Sequence, residues 1–288
     1  MENAYTQTMY ILKKYKISAN KSLGQNFLIN DDVIENIVDS AQIGKDDLVI
    51  EIGPGLGTLT AKLLEKAKKV IAIELDNRMI EILQDRFKLY SNFELINEDV
   101  LKVNLNELIS REKKEQKIQN VKVVANLPYY ITTPIIMKLL EDKLEVESIT
   151  VMIQKEVAKR LTAKPGDKLS GAITYAVNYY CKAEEKVIVP SDSFIPEPEV
   201  ESEVIKLTLR DNPPITLKNE EIFFKLVKAS FMQRRKTLIN GISNSGIADK
   251  ELLKQILEKN GLNEKTRGEE LTMQHFANIA NELYEIKK

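Results

Sequence analysis

Short apolar runs alternate with amphipathic stretches over about the first two-thirds of the chain. The amphipathic stretches place apolar residues three and four positions apart, which predicts helices, and the apolar runs predict buried strands. Strands that alternate with helices indicate an α/β fold with a doubly wound, mainly parallel sheet. The predicted strands are residues 47–52, 69–76, 93–97, 121–126, 148–154, 186–189 and 202–209.

The pattern changes after the sequence DNPP at 211–214, where a linker is predicted. Only helical periodicity follows it, so we expect a sheet domain at 1–212 and a small all-α domain at 213–288. Within the first domain, the charge-rich stretch 109–120 is expected to be a solvated loop. Asp31 and Asp32 are expected to cap the helix that follows them.

The amino-acid composition excludes several classes of protein and of catalytic site. The chain is 43% hydrophobic and 30% charged, which suffices for a folded core. Its longest uncharged stretch, Val123–Met137, contains two prolines and is too short to span a bilayer, so no membrane association is expected. A single cysteine, Cys181, and a single histidine, His275, exclude a disulfide framework, a Cys/His metal site and a Ser-His-Asp triad. The N-terminus has no basic-then-apolar pattern, which favours the cytosol.

Positive charge is concentrated in two stretches, although the formal net charge is −1. Neither residues 3–30 nor residues 222–248 contain an acidic residue. Such basic stretches could bind a polyanion, or they could simply be solvated faces. The bases are Lys13, Lys14, Lys16 and Lys21 in the first stretch, and Lys225, Lys228, Arg234, Arg235 and Lys236 in the second.

A glycine turn, GPGLG, follows the first predicted strand and precedes a helix. Glycines such as Gly53 and Gly55 let the backbone approach a ligand closely. Glu74 ends the next strand, where a carboxylate can accept hydrogen bonds from both ribose hydroxyls of an adenosine cofactor. The alternative is a tight turn followed by an ordinary acidic strand end. Thr58 breaks the dinucleotide fingerprint, so S-adenosylmethionine fits this pattern better than NAD.

Two further strand ends carry polar residues. Asp99, after the third strand, could accept a hydrogen bond from the adenine amine of the cofactor. The fourth strand ends in Asn126-Leu127-Pro128-Tyr129. The Asn126 side-chain oxygen and the Leu127 carbonyl could accept both N–H bonds of an exocyclic amine, and Pro128 would fix the turn. Tyr129 would stack on the base. The alternative is an Asn-capped turn with a packed tyrosine.

Taken together, KSLGQNFLIN, VIEIGPGLGTLT, AIELD, NEDVL, VVANLPYYITTPII, SFIPEPEVESEV and SFMQRRKTLINGI resemble the small-subunit rRNA adenine N6,N6-dimethyltransferase family, from about residue 10 to 285. The resemblance implies a class I methyltransferase, Rossmann-like, with a seven-stranded sheet whose last strand is antiparallel. It implies that S-adenosyl-L-methionine is the cofactor and that Tyr129 and Phe194 stack on the two faces of the target adenine. The cofactor residues that it implies are Asn26, Leu28, Gly53, Gly55, Glu74, Asp99 and Asn126.

The resemblance also implies a substrate. The family forms N6,N6-dimethyladenosine at two adjacent adenosines in a hairpin loop near the 3′ end of 16S rRNA, within the small ribosomal subunit or its precursor. The basic stretches would then contact rRNA phosphates through Lys13, Lys14, Lys16, Lys21, Arg234, Arg235 and Lys236. We expect a cytoplasmic monomer.

Two alternatives stay open at this stage. The first is the same chemistry on large-subunit 23S rRNA, as in the antibiotic-resistance dimethylases, against which the QRRKTLING segment argues. The second is a non-catalytic ribosome-assembly or RNA-binding factor on the same fold. The presence of Glu74, Asp99 and Asn126 together disfavours the second, because a binding protein has no need of all three.

Overall fold

The computed structural model describes residues 3–232 and 236–286, which form two compact units. The first, the sheet unit, comprises Met1–Ala158 and Ala183–Leu209; the second, the helical unit, comprises Lys159–Lys182 and Arg210–Lys288. The second segment of the helical unit therefore begins close to the expected boundary at 212/213, but the unit also contains residues 159–182, which the sequence placed in the sheet domain. The physical reason is packing, since Tyr175 is fully buried in the core of the helical unit, 4.9 Å from the ring of Phe276.

Seven strands form the main sheet, in the order β4-β3-β2-β5-β6-β9-β7. Strands β4, β3, β2, β5 and β6 are parallel to one another, and β9 is antiparallel to β6. A separate antiparallel ladder joins two short strands, β1 and β8. The strands are β1 Phe27–Leu28, β2 Leu48–Ile52, β3 Lys69–Glu74, β4 Phe93–Asn97, β5 Val121–Asn126, β6 Ser148–Gln154, β7 Cys181–Val189, β8 Phe194–Ile195 and β9 Ser202–Leu209.

The helices follow the periodicity of apolar positions closely, with two additions. They are α1 Ala4–Tyr15, α2 Asp31–Ala41, α3 Thr58–Lys66, α4 Asn77–Phe87, α5 Leu105–Gln116, α6 Thr132–Glu141, α7 Lys155–Thr162, α8 Ala172–Tyr180, α9 Glu220–Met232, α10 Leu238–Asn244, α11 Lys250–Lys259 and α12 Met273–Ile286. Helices α1 and α5 were not predicted. Within the described ranges, no helix is both long and apolar enough to cross a membrane.

Helix α5 replaces the solvated loop expected at 109–120, so that expectation was wrong. Asn104 caps the helix by accepting a hydrogen bond from the backbone N–H of Glu107. One face is buried through Leu105, Leu108 and Ile109. Most of the charged residues are exposed to solvent on the opposite face. Glu112 is the exception, since it is buried and accepts a hydrogen bond from Lys69 at 2.8 Å. The high charge content masked an amphipathic helix.

The cap of α2 also differs from the expectation. Asn30 is the N-cap residue, because its side-chain oxygen accepts a hydrogen bond from the backbone N–H of Val33 at 3.2 Å. Asp31 and Asp32 lie in the first turn, where negative charge interacts favourably with the helix dipole. The position of a cap depends on the last extended residue, which the sequence places only to within a residue or two.

Strand β2 lies inside the parallel part of the sheet, between β3 and β5. All five of its residues are buried, as expected for a central parallel strand covered on both faces. The glycine turn that follows β2 leads into α3, with Gly57 at the N-cap in the left-handed region (φ 80°, ψ 23°). A Cβ atom at this position would lie 2.6 Å from the ring of Phe87, so only glycine fits.

Replacing Gly57 with alanine is expected to destabilise the protein by roughly 2–5 kcal/mol, from the positive φ and from overpacking against Phe87 and Leu83. Gly53→Ala is the matched control. Gly53 also has a positive φ, 67°, but the nearest atom to an added Cβ is the backbone carbonyl oxygen of Asn126, at 4.0 Å. The control should therefore lose only about 1–2 kcal/mol. Urea titrations of both variants measure the difference, and equal losses would contradict the steric explanation.

Candidate active site

A cleft opens in the sheet unit where the parallel strands end. It encloses about 1140 Å³ of non-protein space, its open mouth included. Such crevices, at the carboxyl ends of parallel strands, are the usual ligand sites of open α/β sheets. The lining comes from residues 23–28, 51–56, 58–59, 73–75, 98–100 and 126–131, together with Ile135.

Glu74 lies at the end of β3 and is 7% exposed. Its Oε1 accepts hydrogen bonds from the backbone N–H groups of Leu75 and Asp76, both at 2.8 Å, and its Oε2 accepts one from Gly55 at 3.2 Å. Burial raises the pKa of Glu74, although these three donors oppose the effect. The side chain therefore ties the glycine turn after β2 to the end of β3. A carboxylate has about four acceptor positions, so it can still accept bonds from a ligand.

Asp99 and Asn126 lie at other points of the same cleft. Asp99 follows β4, and its Oδ1 accepts a hydrogen bond from the backbone N–H of Leu101 at 3.0 Å. The amide nitrogen of Asn126 donates to the carbonyl of Asn26 at 3.4 Å. This contact orients the amide of Asn126 and brings the segment that contains Asn26 onto the end of β5.

Tyr129 begins a short 3₁₀ turn after Pro128, whose φ is −59°. The Tyr129 hydroxyl lies 2.7 Å from the Ser202 hydroxyl on β9, and burial raises the pKa of Tyr129. Leu127 is 1% exposed, and its backbone N–H donates to the Met152 carbonyl on β6 at 3.1 Å. The four predicted residues 126–129 therefore all line one end of the cleft.

Phe194 is not brought to the cleft. It is 3% exposed, packs in the core of the sheet unit, and pairs through its backbone with Leu28 across the β1–β8 ladder. Leu28 lines the cleft, whereas Phe194 does not. Phe194 is therefore buried in the described structure, and its stacking on a bound base stays a prediction.

Sequence reasoning missed the contacts that hold the cleft wall formed by residues 23–28. Gln25 donates to Asp76 Oδ2 at 2.8 Å, and Arg78 donates to Asp76 Oδ1 at 3.0 Å. Burial would raise the pKa of Asp76, but Arg78 and Gln25 hold it below its ordinary value. Glu74 and Asp76 therefore have different contacts. Glu74 binds the backbone of the glycine turn, and Asp76 holds the cleft wall formed by residues 23–28. No signal in the sequence paired Gln25 with Asp76, which are 51 residues apart.

Glu51, in the middle of β2, was also missed. It is 1% exposed, lines the cleft, and has an Oε2 atom with no hydrogen-bond partner among the described residues. Burial raises the pKa of Glu51 to about 8; Thr60 opposes this effect and the nearby Glu74 adds to it. A glutamate inside an otherwise apolar strand was the available signal, because buried charges are rare without a partner.

Of the predicted RNA-binding residues, the four whose side chains the structure describes lie outside the cleft lining; they are Lys13, Lys14, Lys16 and Lys236. Lys13 and Lys14 are on the last turn of α1, and Lys16 follows it. All three are exposed, but Lys14 forms an ion pair with Asp85 at 2.7 Å. Lys236 is exposed in the bend between α9 and α10, so the helix expected there was wrong at this residue. Outside the described part of the structure lie Arg234, Arg235 and the side chain of Lys21.

Within residues 3–232 and 236–286, no group of three or more His, Cys, Asp and Glu side chains is arranged to hold a metal ion.

The fold and the cleft define a class I methyltransferase. A dimethyladenosine transferase from Plasmodium falciparum superposes with a TM-score of 0.73 at 29% identity, over 90% of this chain and 97% of that one. The 23S rRNA methyltransferase ErmE, at 23% identity and a TM-score of 0.66, covers 90% of this chain and all of its own, and shows the fold alone.

The chain belongs to the ribosomal RNA adenine dimethylase family, whose model matches residues 16–285. It is 48% identical to ribosomal RNA small subunit methyltransferase A of Alkaliphilus oremlandii, over 96% of both chains. It is 49% identical to the protein of the same name from Geobacillus thermodenitrificans, over 96% of this chain and 95% of that one. The predicted family, fold class and methyltransferase activity are thereby confirmed.

Replacing Glu51 with glutamine is expected to stabilise the ligand-free protein, increasingly so at higher pH. The folded pKa of about 8 lies above the ordinary 4.5, so wild type folds with a bound proton between these values. Its stability should fall as pH rises from about 5 to 8, by the order of 1 kcal/mol per pH unit, and the glutamine variant lacks this term.

Melting temperatures between pH 5 and 8.5 check this prediction. Glu81→Gln is the matched control, because Glu81 is an exposed glutamate on α4 and its loss removes the same charge. A difference between the Glu51 variant and wild type that stays constant with pH would show that Glu51 is already ionised in the folded protein.

Proposed function

We propose that this chain transfers methyl groups from S-adenosyl-L-methionine to the N6 amines of two adjacent adenosines in a 3′-terminal hairpin loop of 16S rRNA, giving N6,N6-dimethyladenosine. The observation that carries the proposal is the order of polar groups along one cleft. Asp99 and the glycine turn follow β4 and β2, and Glu74 and Asn126 are the last residues of β3 and β5. These four strands are adjacent in the sheet.

The cleft fits a cationic adenosine cofactor. Its described lining contains four acidic residues and no lysine, arginine or histidine; the acidic residues are Glu51, Glu74, Glu98 and Asp99. A cleft lined by charge of one sign raises the local concentration of the opposite charge. Asp99 would accept from the adenine amine and Glu74 from the ribose hydroxyls, with Gly53, Gly55, Asn26 and Leu28 enclosing the rest.

The adenine amine would enter at the opposite end of the cleft, at residues 126–129. The Asn126 oxygen and the Leu127 carbonyl accept the two N–H bonds, which holds the nitrogen lone pair towards the cofactor. Pro128 keeps the turn in place, and Tyr129 stacks on the base. When bound, the cofactor supplies an electrophilic methyl group on its sulfonium, so no general base is required before transfer. Catalysis is then mainly positioning.

The position of Tyr129 supports this stacking role. Its hydroxyl contact with Ser202 fixes the ring angle, while the ring still lines the cleft. Phe194 would stack on the other face of the base, as the family resemblance implies, and its backbone pairing with Leu28 in the β1–β8 ladder holds it next to a residue that lines the cleft.

The substrate class rests on the family and on its relatives' names. Both curated relatives are small-subunit rRNA methyltransferases, which supports 16S rRNA in the small subunit or its precursor over 23S rRNA. Lysines 13, 14, 16 and 21, with Arg234, Arg235 and Lys236, are the proposed phosphate contacts. A cytoplasmic location and a monomeric state stay predictions.

Asn126→Ala is expected to lower methyl transfer by roughly 100- to 1000-fold, as removal of one preorganised polar contact does elsewhere. Binding to small subunits should be nearly unchanged, because the Asn126 contact matters most at the moment of transfer. Tritiated methyl transfer to unmethylated small subunits measures the loss, with large-subunit rRNA as the competing substrate. Transfer only to large-subunit rRNA, or no transfer by wild type, would overturn the proposed function.

Tyr129→Ala is expected to lower transfer by roughly 5- to 150-fold, the range for loss of one stacked base. Tyr129→Phe should be much milder, since it keeps the ring and loses only the contact with Ser202. Ser202→Ala removes the same hydrogen bond from the other side and is the matched control. If Tyr129→Phe is as impaired as Tyr129→Ala while Ser202→Ala is normal, the hydroxyl acts on the substrate and the stacking role is wrong.

Charge removal at the basic residues should weaken binding to small subunits and flatten its salt dependence. Each lost phosphate contact should reduce the magnitude of the log–log slope by roughly 0.7–0.9. Lys13→Ala with Lys16→Ala forms one test, and the Arg234, Arg235 and Lys236 triple alanine variant forms another. Lys14→Ala should have a smaller effect, because Asp85 already neutralises Lys14. Filter binding from low to high salt gives the slopes, and slopes equal to that of wild type would refute these contacts.

A further inference from the structure

We infer that Tyr130 binds the nucleotide next to the target adenosine, by stacking its ring on that neighbouring base. This role rests on the proposed function, and it extends the substrate contacts from one nucleotide to two. Tyr129 holds the base that receives the methyl group, and Tyr130 holds the adjacent base at the exposed part of the cleft. Tyr130 is thus a substrate-binding residue that does not touch the reacting atoms.

The first support is the exposure of the Tyr130 ring. The described lining of the cleft contains three aromatic residues, Phe27, Tyr129 and Tyr130. Phe27 is 6% exposed and Tyr129 is partly buried, whereas Tyr130 is 58% exposed. Among the described residues, the Tyr130 hydroxyl has no hydrogen-bond partner. A largely exposed ring beside a base pocket is available for stacking on a second base.

The second support is the direction in which the ring lies. Tyr129 and Tyr130 begin a short 3₁₀ turn, in which successive side chains are about 120° apart. The Tyr129 hydroxyl reaches Ser202 on β9, whereas Tyr130 lies beside the cleft wall, where a Cβ atom on Gly24 would be 3.2 Å from its ring. Consecutive nucleotides, with one base inside the pocket and the next outside it, require two rings that diverge in this way.

The third support is that a fixed segment lies behind the ring. Gly24 is in the cleft wall, and the next residue, Gln25, donates to Asp76 at 2.8 Å. Gly24 has a positive φ of 58° and no side chain that would occupy the place of the ring. An aromatic ring that is already held in position loses little conformational entropy when a base stacks on it.

The fourth support is the charge of the cleft. Its described lining contains four acidic residues and no lysine, arginine or histidine. Acidic side chains repel the phosphates of an RNA chain, so the phosphate contacts have to lie elsewhere. The face of a base carries no net charge, and unpaired loop nucleotides are commonly bound by stacking on aromatic side chains. Tyr130 offers this kind of contact next to the proposed pocket.

Methyl transfer to small subunits with a defined neighbouring base tests the assignment. One target adenosine is kept in the 16S rRNA, guanosine replaces the other, and an abasic residue is placed on the 5′ or the 3′ side of the target. With both neighbours intact, Tyr130→Ala should lower kcat/KM by roughly 5- to 150-fold, the range for loss of one stacked base. The change should be in KM, because the stack is the same in the ground state and the transition state.

The abasic substrates show whether the lost contact is the one with the neighbouring base. On one of the two abasic substrates, wild type and Tyr130→Ala should have similar kcat/KM values, because the stack is already absent. If the variant is as impaired relative to wild type on both abasic substrates as on the intact one, Tyr130 does not stack on a neighbouring base and the assignment is wrong.

Conservative variants separate the flat ring from its bulk. Tyr130→Phe keeps the ring and should transfer as wild type does, whereas Tyr130→Leu keeps only an apolar side chain beside Gly24 and should resemble Tyr130→Ala. Normal transfer by Tyr130→Leu would overturn the stacking role. Tyr90→Ala is the matched control, because Tyr90 is also exposed but lies outside the described lining of the cleft, and its transfer should be normal.

Cofactor affinity distinguishes a substrate contact from support of the cleft wall. In calorimetric titrations with S-adenosylhomocysteine, Tyr130→Ala should bind as wild type does, because the contact of Gln25 with Asp76 holds the wall without Tyr130. Weaker binding by the variant, with normal transfer at saturating cofactor, would overturn the assignment. If wild type transferred no methyl group to small subunits with both adenosines intact, the proposed function itself would fail. Circular dichroism of each variant confirms that it is folded.

Discussion

The parallel register of β2 with β3 on one side and β5 on the other is the constraint on which the site depends. Ile52 is level with both Ile73 and Ala125, so the three strands end together at one edge of the sheet. Adjacent strands lie about 4.8 Å apart, and β4 extends the same edge. The four strands therefore present their terminal side chains in a row of about 14 Å. A slip of one residue in any strand would turn its polar group towards the opposite face of the sheet.

The buried carboxylates of the cleft lower the stability of the ligand-free protein. Glu51 and Glu74 are both buried, and desolvation raises the pKa of each. The cost is limited for Glu74 by three backbone donors, whereas Glu51 has an oxygen without a partner. Stability is therefore reduced at the cleft, a common compromise at functional sites.

The wall over the cleft depends on contacts between distant segments. Asp76 joins Gln25 and Arg78, and Asn126 joins the Asn26 carbonyl, so residues 23–28 are fixed to the ends of β3 and β5. The same two strand ends carry the residues proposed to hold the ribose and the target amine. Under the proposed function, one set of hydrogen bonds would therefore place both the cofactor and the substrate groups.

The sequence by itself determined which polar groups lie at the strand ends, because each stands at the end of an apolar run. These groups are the glycine turn, Glu74, Asp99 and residues 126–129. Since parallel strands end at one edge of a sheet, the sequence also determined that these groups lie along the same edge. It could not determine which polar residues become buried or paired. The high charge of α5 concealed its buried face, and Phe194 lies in the core. Asp76 holds residues 23–28 through its hydrogen bond with Gln25. Each of these outcomes depends on partners that are distant in sequence. Glu51 stood inside an apolar strand, and only the packing of β2 against its neighbours decided that its carboxylate would be buried, unpaired and facing the cleft.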